Sequence, residues 1–320
     1  MTSKLDLVIG VDGGGTKTVA WLAPTAGRRD ELPFGVGEAG PGNPRAVGFD
    51  TAQHNIALAV RRAWDNAGLT PAVAAAACLG LAGAGRPEEQ QAIEVWARKH
   101  EVARHVQVTH DAEIILAAGT RRADGIALIC GTGSFAWGKN STGACERSGG
   151  WGYLFGDEGS GYAMALAGLR AVASATDGRG PATVLQERML AAVEVTQASD
   201  LIGRLYRPTV SRDWIASLAS VVCDAAADDD VATEILQTAA HELAMLVVSL
   251  VARLQFRQEG YSLVLAGGVI ANQMQLRDQL LNLLKATQIR PAESIVVANP
   301  VCGATELARR LLTYTARGQC

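Results

Sequence analysis

The sequence predicts an α/β protein built from two related lobes. The chain has 320 residues, of which 48% are hydrophobic and only 5% aromatic, and this size and composition suit two domains with close helix–sheet packing. A strand, a turn of Gly and Thr and a second strand are expected over residues 5–23, and the same pattern returns over residues 125–139. Towards the C-terminus, strands alternate with helices, which is typical of α/β lobes.

Apolar periodicity and turn residues predict each element in chain order. Strands are expected over residues 5–11, 18–23, 74–81, 106–109, 125–130, 135–139, 263–265 and 295–297. Helices are expected over residues 47–67, 87–100, 112–119, 160–176, 183–195, 214–226, 231–256, 273–285 and 303–313. The motifs discussed below fall mainly where predicted strands end.

Composition excludes several classes of function. The net charge is −3 and no segment collects Lys and Arg, so binding to nucleic acid or to an anionic membrane is not expected. The six cysteines form no C-x-x-C pair and no zinc-type spacing, which favours a reduced, cytoplasmic protein. The N-terminal apolar run is short and bracketed by Asp6 and Asp12, so no signal peptide is predicted. No membrane span is expected either, because residues 66–85 contain Pro71 and residues 243–252 are too few.

The first glycine turn, "DGGGTK" over residues 12–17, follows the first predicted strand. Successive backbone N–H groups in such a turn form a concave anion site, to which Thr16 adds a hydroxyl and Lys17 a charge. Asp12, at the strand end, could hold Mg²⁺ through water, since magnesium keeps most of its hydration shell. The spacing is not that of a P-loop. The alternative is a tight hairpin that merely needs glycine.

The second glycine turn, "GTGS" over residues 131–134, occupies the matching place in the repeated unit. It also fits the start of a dinucleotide-binding fingerprint, but a strand rather than a helix is predicted after it. Two hydroxyl-bearing turns on matching hairpins instead suggest that the two turns bind one polyphosphate from opposite sides. A purely structural hairpin is the alternative for either turn alone.

Asp111 lies where a strand ends and a helix opens, in "THDAEI". Such an aspartate is commonly a helix N-cap. Near two phosphate-binding turns, it could instead accept the proton of an attacking hydroxyl group. His110 is the rival candidate for that base.

Two further glycine-rich segments suggest ligand contacts. Residues 148–162, "SGGWGYLFGDEGSGY", hold six glycines, and such a loop is costly to order without a ligand. The alternatives there are an acidic helix start for Asp157 and a core wedge for Trp151. Residues 266–269, "AGGV", follow a strand and precede a helix, so a flat nucleotide base could lie against the backbone. A close strand–helix turn is the alternative.

Six stretches in this order resemble the BadF/BadG/BcrA/BcrD-type ATPase family, and within it the N-acetylglucosamine kinases. They are "GVDGGGTKT", "LGLAGAG", "THDAEI", "ICGTGSFAWG", "GGWGYLFGDEGSGY" and "LAGGV". The resemblance implies the actin/hexokinase/heat-shock-70 fold, with two ribonuclease-H-like lobes and a nucleotide cleft between them. The implied boundaries are residues 1–121, joined by a C-terminal helix over about 305–320, and residues 122–304.

The resemblance also implies ATP, Mg²⁺ and the roles of individual residues in γ-phosphoryl transfer to an amino-sugar hydroxyl, the 6-hydroxyl above all. Asp111 would be the catalytic base, and Asp12 would hold the metal. The residues expected to bind ATP are Gly14, Gly15, Thr16, Lys17, Thr132, Gly133, Ser134, Gly267 and Gly268. The residues expected to bind the sugar are Asn43, Asp111, Thr132, Gly150, Trp151 and Asp157.

Other functions remain open from the sequence. Glucosamine and N-acetylmuramic acid compete with N-acetylglucosamine as the substrate, because a single contact can decide among them. The same family contains activator ATPases with an iron–sulfur cluster, for which Cys130 and Cys145 are the only candidates and no cluster motif is visible. A nucleotide-gated switch protein is the non-enzymatic alternative. A homodimer is expected from the habit of the family, and residues 177–260 carry no usable motif.

Overall fold

The computed structural model describes residues 6–27, 31–122, 124–257 and 260–316. The chain divides into two compact units. Unit 1 comprises residues 1–122 and 299–320, and unit 2 comprises residues 123–298. The expected boundaries, 121/122 and 304/305, therefore differ from these by one residue and six residues. The end of the expected C-terminal helix, residues 317–320, lies outside the described residues, as does the start of the first expected strand at Leu5.

Ten strands and thirteen helices occur in the described ranges. The strands are β1 (Leu7–Gly13), β2 (Thr18–Pro24), β3 (Gly35–Ala39), β4 (Ala74–Leu81), β5 (Ala103–His110), β6 (Gly125–Cys130), β7 (Ser134–Lys139), β8 (Cys145–Gly149), β9 (Tyr261–Ala266) and β10 (Pro291–Val296). The helices are α1 (Pro44–Val47), α2 (Phe49–Asn66), α3 (Pro87–Lys99), α4 (Asp111–Gly119), α5 (Gly161–Thr176), α6 (Leu185–Val193), α7 (Asp200–Leu205), α8 (Arg212–Ser217), α9 (Ala219–Ala225), α10 (Asp230–Arg253), α11 (Gly268–Asn272), α12 (Met274–Lys285) and α13 (Val301–Ala316).

Unit 1 contains a five-stranded sheet in the order β3-β2-β1-β4-β5. The strands β1, β2 and β3 form an antiparallel meander, whereas β4 and β5 run parallel to β1. Asp12 pairs with Gly80, and Leu81 pairs with His110. The carboxyl ends of β1, β4 and β5 therefore meet at one edge of the sheet, and Asp12 and Asp111 come to the same place.

Helices cover both faces of the unit 1 sheet. On one face, α2 and α3 bury side chains such as Ile56 and Ile93 against the strands. On the other face, α4 and α13 pack over Val8 and Ala76. The approach of α13 to α4 is close, because a Cβ atom on Gly303 would lie 1.9 Å from the Ile114 carbonyl oxygen. The C-terminal helix therefore belongs to unit 1 from its first turn, which is why the boundary falls at residue 299 rather than residue 305.

Unit 2 repeats the topology of unit 1. Its sheet has the order β8-β7-β6-β9-β10, with β6, β7 and β8 antiparallel and β9 and β10 parallel to β6. The predicted α/β fold with a duplicated unit is confirmed. The edge strands β3 and β8 were not expected, because "GVGEA" and "CERSG" lack an apolar run: β3 alternates between buried and exposed positions, and no position of β8 is buried.

The helices of unit 2 differ in three places from the prediction, one of which is that the short helix α11 was not expected. The helix expected over residues 214–226 is two helices, α8 and α9, which break at Leu218. The short helix α7 was not expected. In α10, a stripe of buried side chains forms the centre of the core. This is the one helix of the described ranges long and apolar enough to cross a membrane by length and composition, and its buried stripe is typical of a core helix.

Candidate active site

The first glycine turn of unit 1 is closed and anchored by backbone hydrogen bonds. The Gly14 N–H donates to the Lys17 carbonyl group at 2.9 Å. The backbone N–H groups of Gly42 and Asn43 both donate to the Gly14 carbonyl group, at 3.0 and 3.2 Å. Gly15 lies exposed at the tip, where a Cβ atom would meet nothing within 4 Å. The turn is therefore held in place while its tip stays open to a ligand.

Asn43 and Lys17 face different surroundings at this turn. The Asn43 Oδ1 atom accepts the Arg45 N–H at 2.9 Å and so caps α1. No hydrogen bond from the Asn43 Nδ2 atom occurs in the part of the chain that the structure describes, so this atom can donate to a ligand. The Lys17 ammonium group pairs with Glu38 at 2.9 Å, and both side chains are mostly exposed. Such an exposed pair is weak, and Lys17 must leave it to contact a phosphate.

Asp12 and Asp111 form a pair of crowded carboxyl groups at the edge of the unit 1 sheet. Burial and the negative charge of Asp111 raise the pKa of Asp12 to about 7, against a smaller opposing effect of Lys17. Burial also raises the pKa of Asp111, while the charge of His110 and backbone N–H groups oppose the rise. Desolvated carboxylates that repel each other are the surroundings in which a cation or a proton is bound. The pair therefore fits both a divalent metal and a general base.

Asp111 is not a helix cap. His110 occupies the N-cap position of α4, and Asp111 is the first helical residue. Among the described residues, the Asp111 carboxyl group accepts from its own backbone N–H and from the N–H of the adjacent Ala112, the latter at 3.0 Å. The capping alternative is therefore wrong, and the carboxyl group keeps acceptor capacity for a substrate.

The second glycine turn lies in unit 2 and is held by backbone and side-chain hydrogen bonds. The Ser134 hydroxyl group donates to the Glu158 carbonyl group at 2.6 Å, and the Ser134 N–H donates to the Asp157 carboxyl group at 3.3 Å. The Thr132 hydroxyl group donates to the Asp213 carboxyl group at 2.7 Å. Ser134 is buried, so its hydrogen bonds hold the loop in place. Thr132 instead lies at the surface of a cavity.

Asp157 belongs to the second turn rather than to a helix start. Its backbone is left-handed, with φ of 58°, and Ser160 is the N-cap of α5. Burial raises the pKa of the Asp157 carboxyl group, although the Ser134 N–H and the charge of Arg212 oppose the rise. The helix-start alternative is therefore wrong for this residue.

The loop after β8 presents Gly150 and Trp151 at the surface of unit 2. The Gly150 N–H donates to the Ser134 carbonyl group at 3.1 Å, which joins this loop to the second glycine turn. The Trp151 side chain is 64% exposed, so it is not a core wedge. Its ring contacts Phe155, with the ring centroids 6.5 Å apart. An exposed indole beside an exposed aromatic ring is suited to stacking on a sugar face.

A cavity of about 390 Å³ in unit 2 joins the second glycine turn to the "AGGV" segment. Gly131 and Thr132 lie on one side and Gly268 on the other. Gly267 allows the close turn, because its φ is 105° and a Cβ atom there would lie 2.4 Å from the Cys130 carbonyl oxygen. The cavity thus brings together the residues expected to bind phosphate and adenosine.

Sequence reasoning missed the third wall of this cavity. Its polar side chains come from α8, α9, and the region of α11, and they are Asp213, Ser217, Ser220, Asn272 and Gln273. The spacing of the first three is four and then three residues, which would put them on one face of the single helix that the sequence predicts, although the structure breaks that helix at Leu218. That polar face in an otherwise apolar segment was the available signal.

The described cysteines do not resemble a cluster site. Burial raises the pKa of the Cys130 thiol group to about 12, which disfavours the thiolate that binds iron. This thiol donates to the Gly159 carbonyl group at 3.5 Å. Cys145 is exposed. Within the described ranges, no group of three or more His, Cys, Asp or Glu residues could hold a metal ion, so any magnesium site would rely on few carboxylates and on water.

Comparison with known proteins places this geometry in one family. The profile of the BadF/BadG/BcrA/BcrD ATPase family matches residues 9–308. The chain belongs to this family. The match spans both units and includes both glycine turns, Asp111 and the cavity in unit 2.

The similar proteins include curated kinases and a solved structure. An N-acetylmuramic acid/N-acetylglucosamine kinase of Clostridium acetobutylicum is 35% identical over 87% of this chain and 90% of its own. An N-acetyl-D-glucosamine kinase of Dictyostelium discoideum is 32% identical over 86% of this chain and 89% of its own. A structure from Chromobacterium violaceum, described as a proposed N-acetylglucosamine kinase, has a TM-score of 0.73 at 25% identity, covering 96% of this chain and all of the other.

Proposed function

We propose that this protein is an ATP-dependent kinase that transfers the γ-phosphoryl group of ATP to the 6-hydroxyl group of N-acetylglucosamine or a related amino sugar. The observation that carries the proposal is the Asp111 carboxyl group, which is crowded, does not cap its helix and has a raised pKa. A carboxylate with a raised pKa is a stronger base towards a hydroxyl group. The two curated relatives above 30% identity are both named as kinases of N-acetylated amino sugars.

Asp111 takes the proton of the sugar hydroxyl group as that oxygen attacks phosphorus, and the bond to the leaving ADP oxygen breaks. Asp12 would hold Mg²⁺ through water, and the metal supplies charge neutralisation for the phosphate oxygens when bound. Burial of the Asp111 carboxyl group raises its proton affinity. Most of the catalysis then comes from positioning.

Each unit offers its own glycine turn for ATP phosphate in this proposal. The first contributes the backbone of Gly14 and Gly15 with Thr16, and the second contributes Thr132, Gly133 and Ser134. The role of Lys17 depends on release from Glu38. The adenosine lies against Gly267 and Gly268, in the cavity of about 390 Å³, whose size suits a nucleoside better than a larger group.

The sugar is bound by polar groups and one exposed ring. Asn43 offers its Nδ2 atom as a donor, and Asp157 offers a carboxylate that the backbone orients. Gly150 leaves room at the loop backbone, and Trp151 offers its exposed face to the pyranose ring. Thr132 contributes to this set through its hydroxyl group.

An ADP-release assay with a panel of amino sugars tests the activity. The Asp111→Asn variant should bind ATP and sugar by calorimetry but lose about 10²- to 10⁴-fold in kcat, which is the usual contribution of a general base. Asp65→Asn, on the exposed face of α2, is the matched control and should keep full activity. Normal turnover by Asp111→Asn would refute the assignment of the base, and no turnover with any amino sugar would refute the proposed function.

N-acetylmuramic acid is the second candidate substrate, because the Clostridium relative is named for both sugars. Glucosamine is a third, since a glucosamine kinase of Vibrio cholerae is 26% identical over 77% of this chain.

An iron–sulfur activator role is disfavoured by the buried Cys130 thiol, and visible absorption after anaerobic purification would revive it. We further infer that the protein is a cytoplasmic homodimer. Light scattering after size-exclusion chromatography would test this stoichiometry.

A further inference from the structure

The loop at residues 150–155 in unit 2 carries two arginines against its aromatic rings. The Arg147 guanidinium carbon lies 5.6 Å from the centroid of the Trp151 ring, and the Arg212 guanidinium carbon lies 4.7 Å from that of Tyr153. Both distances are within the range of a cation–π contact. Two guanidinium groups therefore lie against the loop proposed to bind the sugar.

The two arginines differ in what else they face. Burial raises the pKa of Asp157 and the charge of Arg212 opposes that rise, so Arg212 lies near a carboxylate that the loop itself supplies. Neither arginine forms an ion pair within 4.0 Å among the described residues. The adjacent Glu146 is paired with Arg253, which also donates to the Arg147 carbonyl group at 2.9 Å. The cation of Arg147 is thus left for a ligand.

The position of Arg147 suits recognition of an anion on the sugar. Its guanidinium carbon lies 3.7 Å from the place where a Cβ atom on Gly150 would stand, so it borders the backbone of the proposed sugar loop. A guanidinium group stacked on a ring keeps its N–H donors in its own plane, in a fork that matches the two oxygens of a carboxylate. Only an arginine held against the loop in this way offers that fork beside Gly150.

We propose that Arg147 is a specificity-determining residue that binds a carboxylate carried by the amino-sugar substrate. The preferred substrate class is then an N-acetylated amino sugar with an acidic side arm, of which N-acetylmuramic acid is an example, and the neutral N-acetylglucosamine is the weaker substrate. This inference rests on the proposed kinase function. It assigns a residue to a part of the substrate, the acidic side arm, that neither glycine turn nor Asp111 is proposed to recognise.

The test compares kcat/KM for N-acetylmuramic acid, its methyl ester and N-acetylglucosamine. In the unaltered protein, the free acid should exceed its methyl ester by about 10-fold, because a charge-assisted hydrogen bond at an exposed site contributes near the low end of its usual range. Arg147→Ala should lose that ratio, because the free acid and its methyl ester then meet the same uncharged side chain. Arg147→Lys keeps the charge but not the fork and should retain only part of the ratio.

Controls separate the inference from the proposed function. Arg179→Ala removes another exposed arginine, which pairs with Asp177 far along the chain, and it should leave the acid-to-ester ratio unchanged. Turnover of N-acetylglucosamine with no preference for the acid, or an unchanged ratio in Arg147→Ala, would overturn the role of Arg147 alone. Turnover of none of the three sugars by the unaltered protein would overturn the kinase function itself.

Discussion

Replacing Asp12 with asparagine should stabilise the metal-free protein, and the gain should depend on pH. The pKa of Asp12 is raised from its ordinary value of 3.8 to about 7. The folded state therefore binds this proton more tightly than the unfolded state, and stability falls as pH rises from about 4 to about 7. Above pH 7 the loss is complete. Asparagine has no charge to desolvate, so the variant escapes this loss.

The magnitude follows from the same two pKa values. Each pKa unit corresponds to about 1.4 kcal/mol, so the interval from 3.8 to about 7 sets an upper limit of about 4 kcal/mol on the gain at pH 8. At pH 4 the two proteins should differ little, because the protonated carboxyl group and the amide are nearly the same shape. The gain at pH 8 should appear as a higher urea midpoint with an unchanged slope.

Urea unfolding at pH 4.5, 6 and 8, with EDTA present, measures the effect. Asp50→Asn, at an exposed position in the first turn of α2, is the control and should not reproduce the pH-dependent gain. Adding Mg²⁺ should stabilise the unaltered protein more than Asp12→Asn, since the metal would neutralise the same charge. If the difference in the free energy of unfolding between Asp12→Asn and the unaltered protein does not change with pH, the interpretation that Asp12 is desolvated and charged is refuted.

Three other predictions concern catalysis, the nucleotide cavity and the backbone. Because burial raises the pKa of Asp111 and a base must be ionised, kcat/KM should fall with decreasing pH, beginning above the ordinary range for aspartate; a profile flat to pH 4 would contradict this. Asp213→Ala frees the Thr132 hydroxyl group and should change KM for ATP and for the sugar several-fold with little change in kcat, whereas KM values unchanged for both would contradict a role of this contact in binding. Gly267→Ala should destabilise the fold by about 2–4 kcal/mol, because φ is 105° and the new methyl group meets Cys130. The control Gly203→Ala meets nothing within 4 Å and should be neutral or stabilising in a thermal melt.

Local sequence determined the elements whose apolar pattern is continuous. The strand β4, "AAAACLGL", is buried along its whole length, and its bounds are those predicted. The helix α3 begins at Pro87, as expected for proline in a first turn. By contrast, β3 is a strand because β2 and α2 lie beside it: Cβ atoms on Gly35 and Gly37 would meet carbonyl oxygens of α2 at 1.9 and 2.0 Å. That requirement is invisible from residues 35–39 alone.

The candidate site also has parts that local sequence predicts and parts that it does not. Both glycine turns could be predicted, because glycine, hydroxyl and carboxylate groups occur within a few residues of each other. The role of Asp213 could not be predicted, since its contact with Thr132 joins residues 81 positions apart. Sequence also could not tell that Lys17 pairs with Glu38, because the pairing follows from the register of β2 with β3.

The return of the chain into unit 1 affects how the protein is made. The face of the unit 1 sheet that carries Val8 and Ala76 is covered by α13, and α13 is synthesised only after all of unit 2. At about 5–20 residues per second, a ribosome needs on the order of 10–40 s to pass from residue 122, where the first segment of unit 1 ends, to residue 316, where α13 ends. During that interval the nascent unit 1 exposes an apolar sheet face, so it is the half of the protein that should depend most on chaperones.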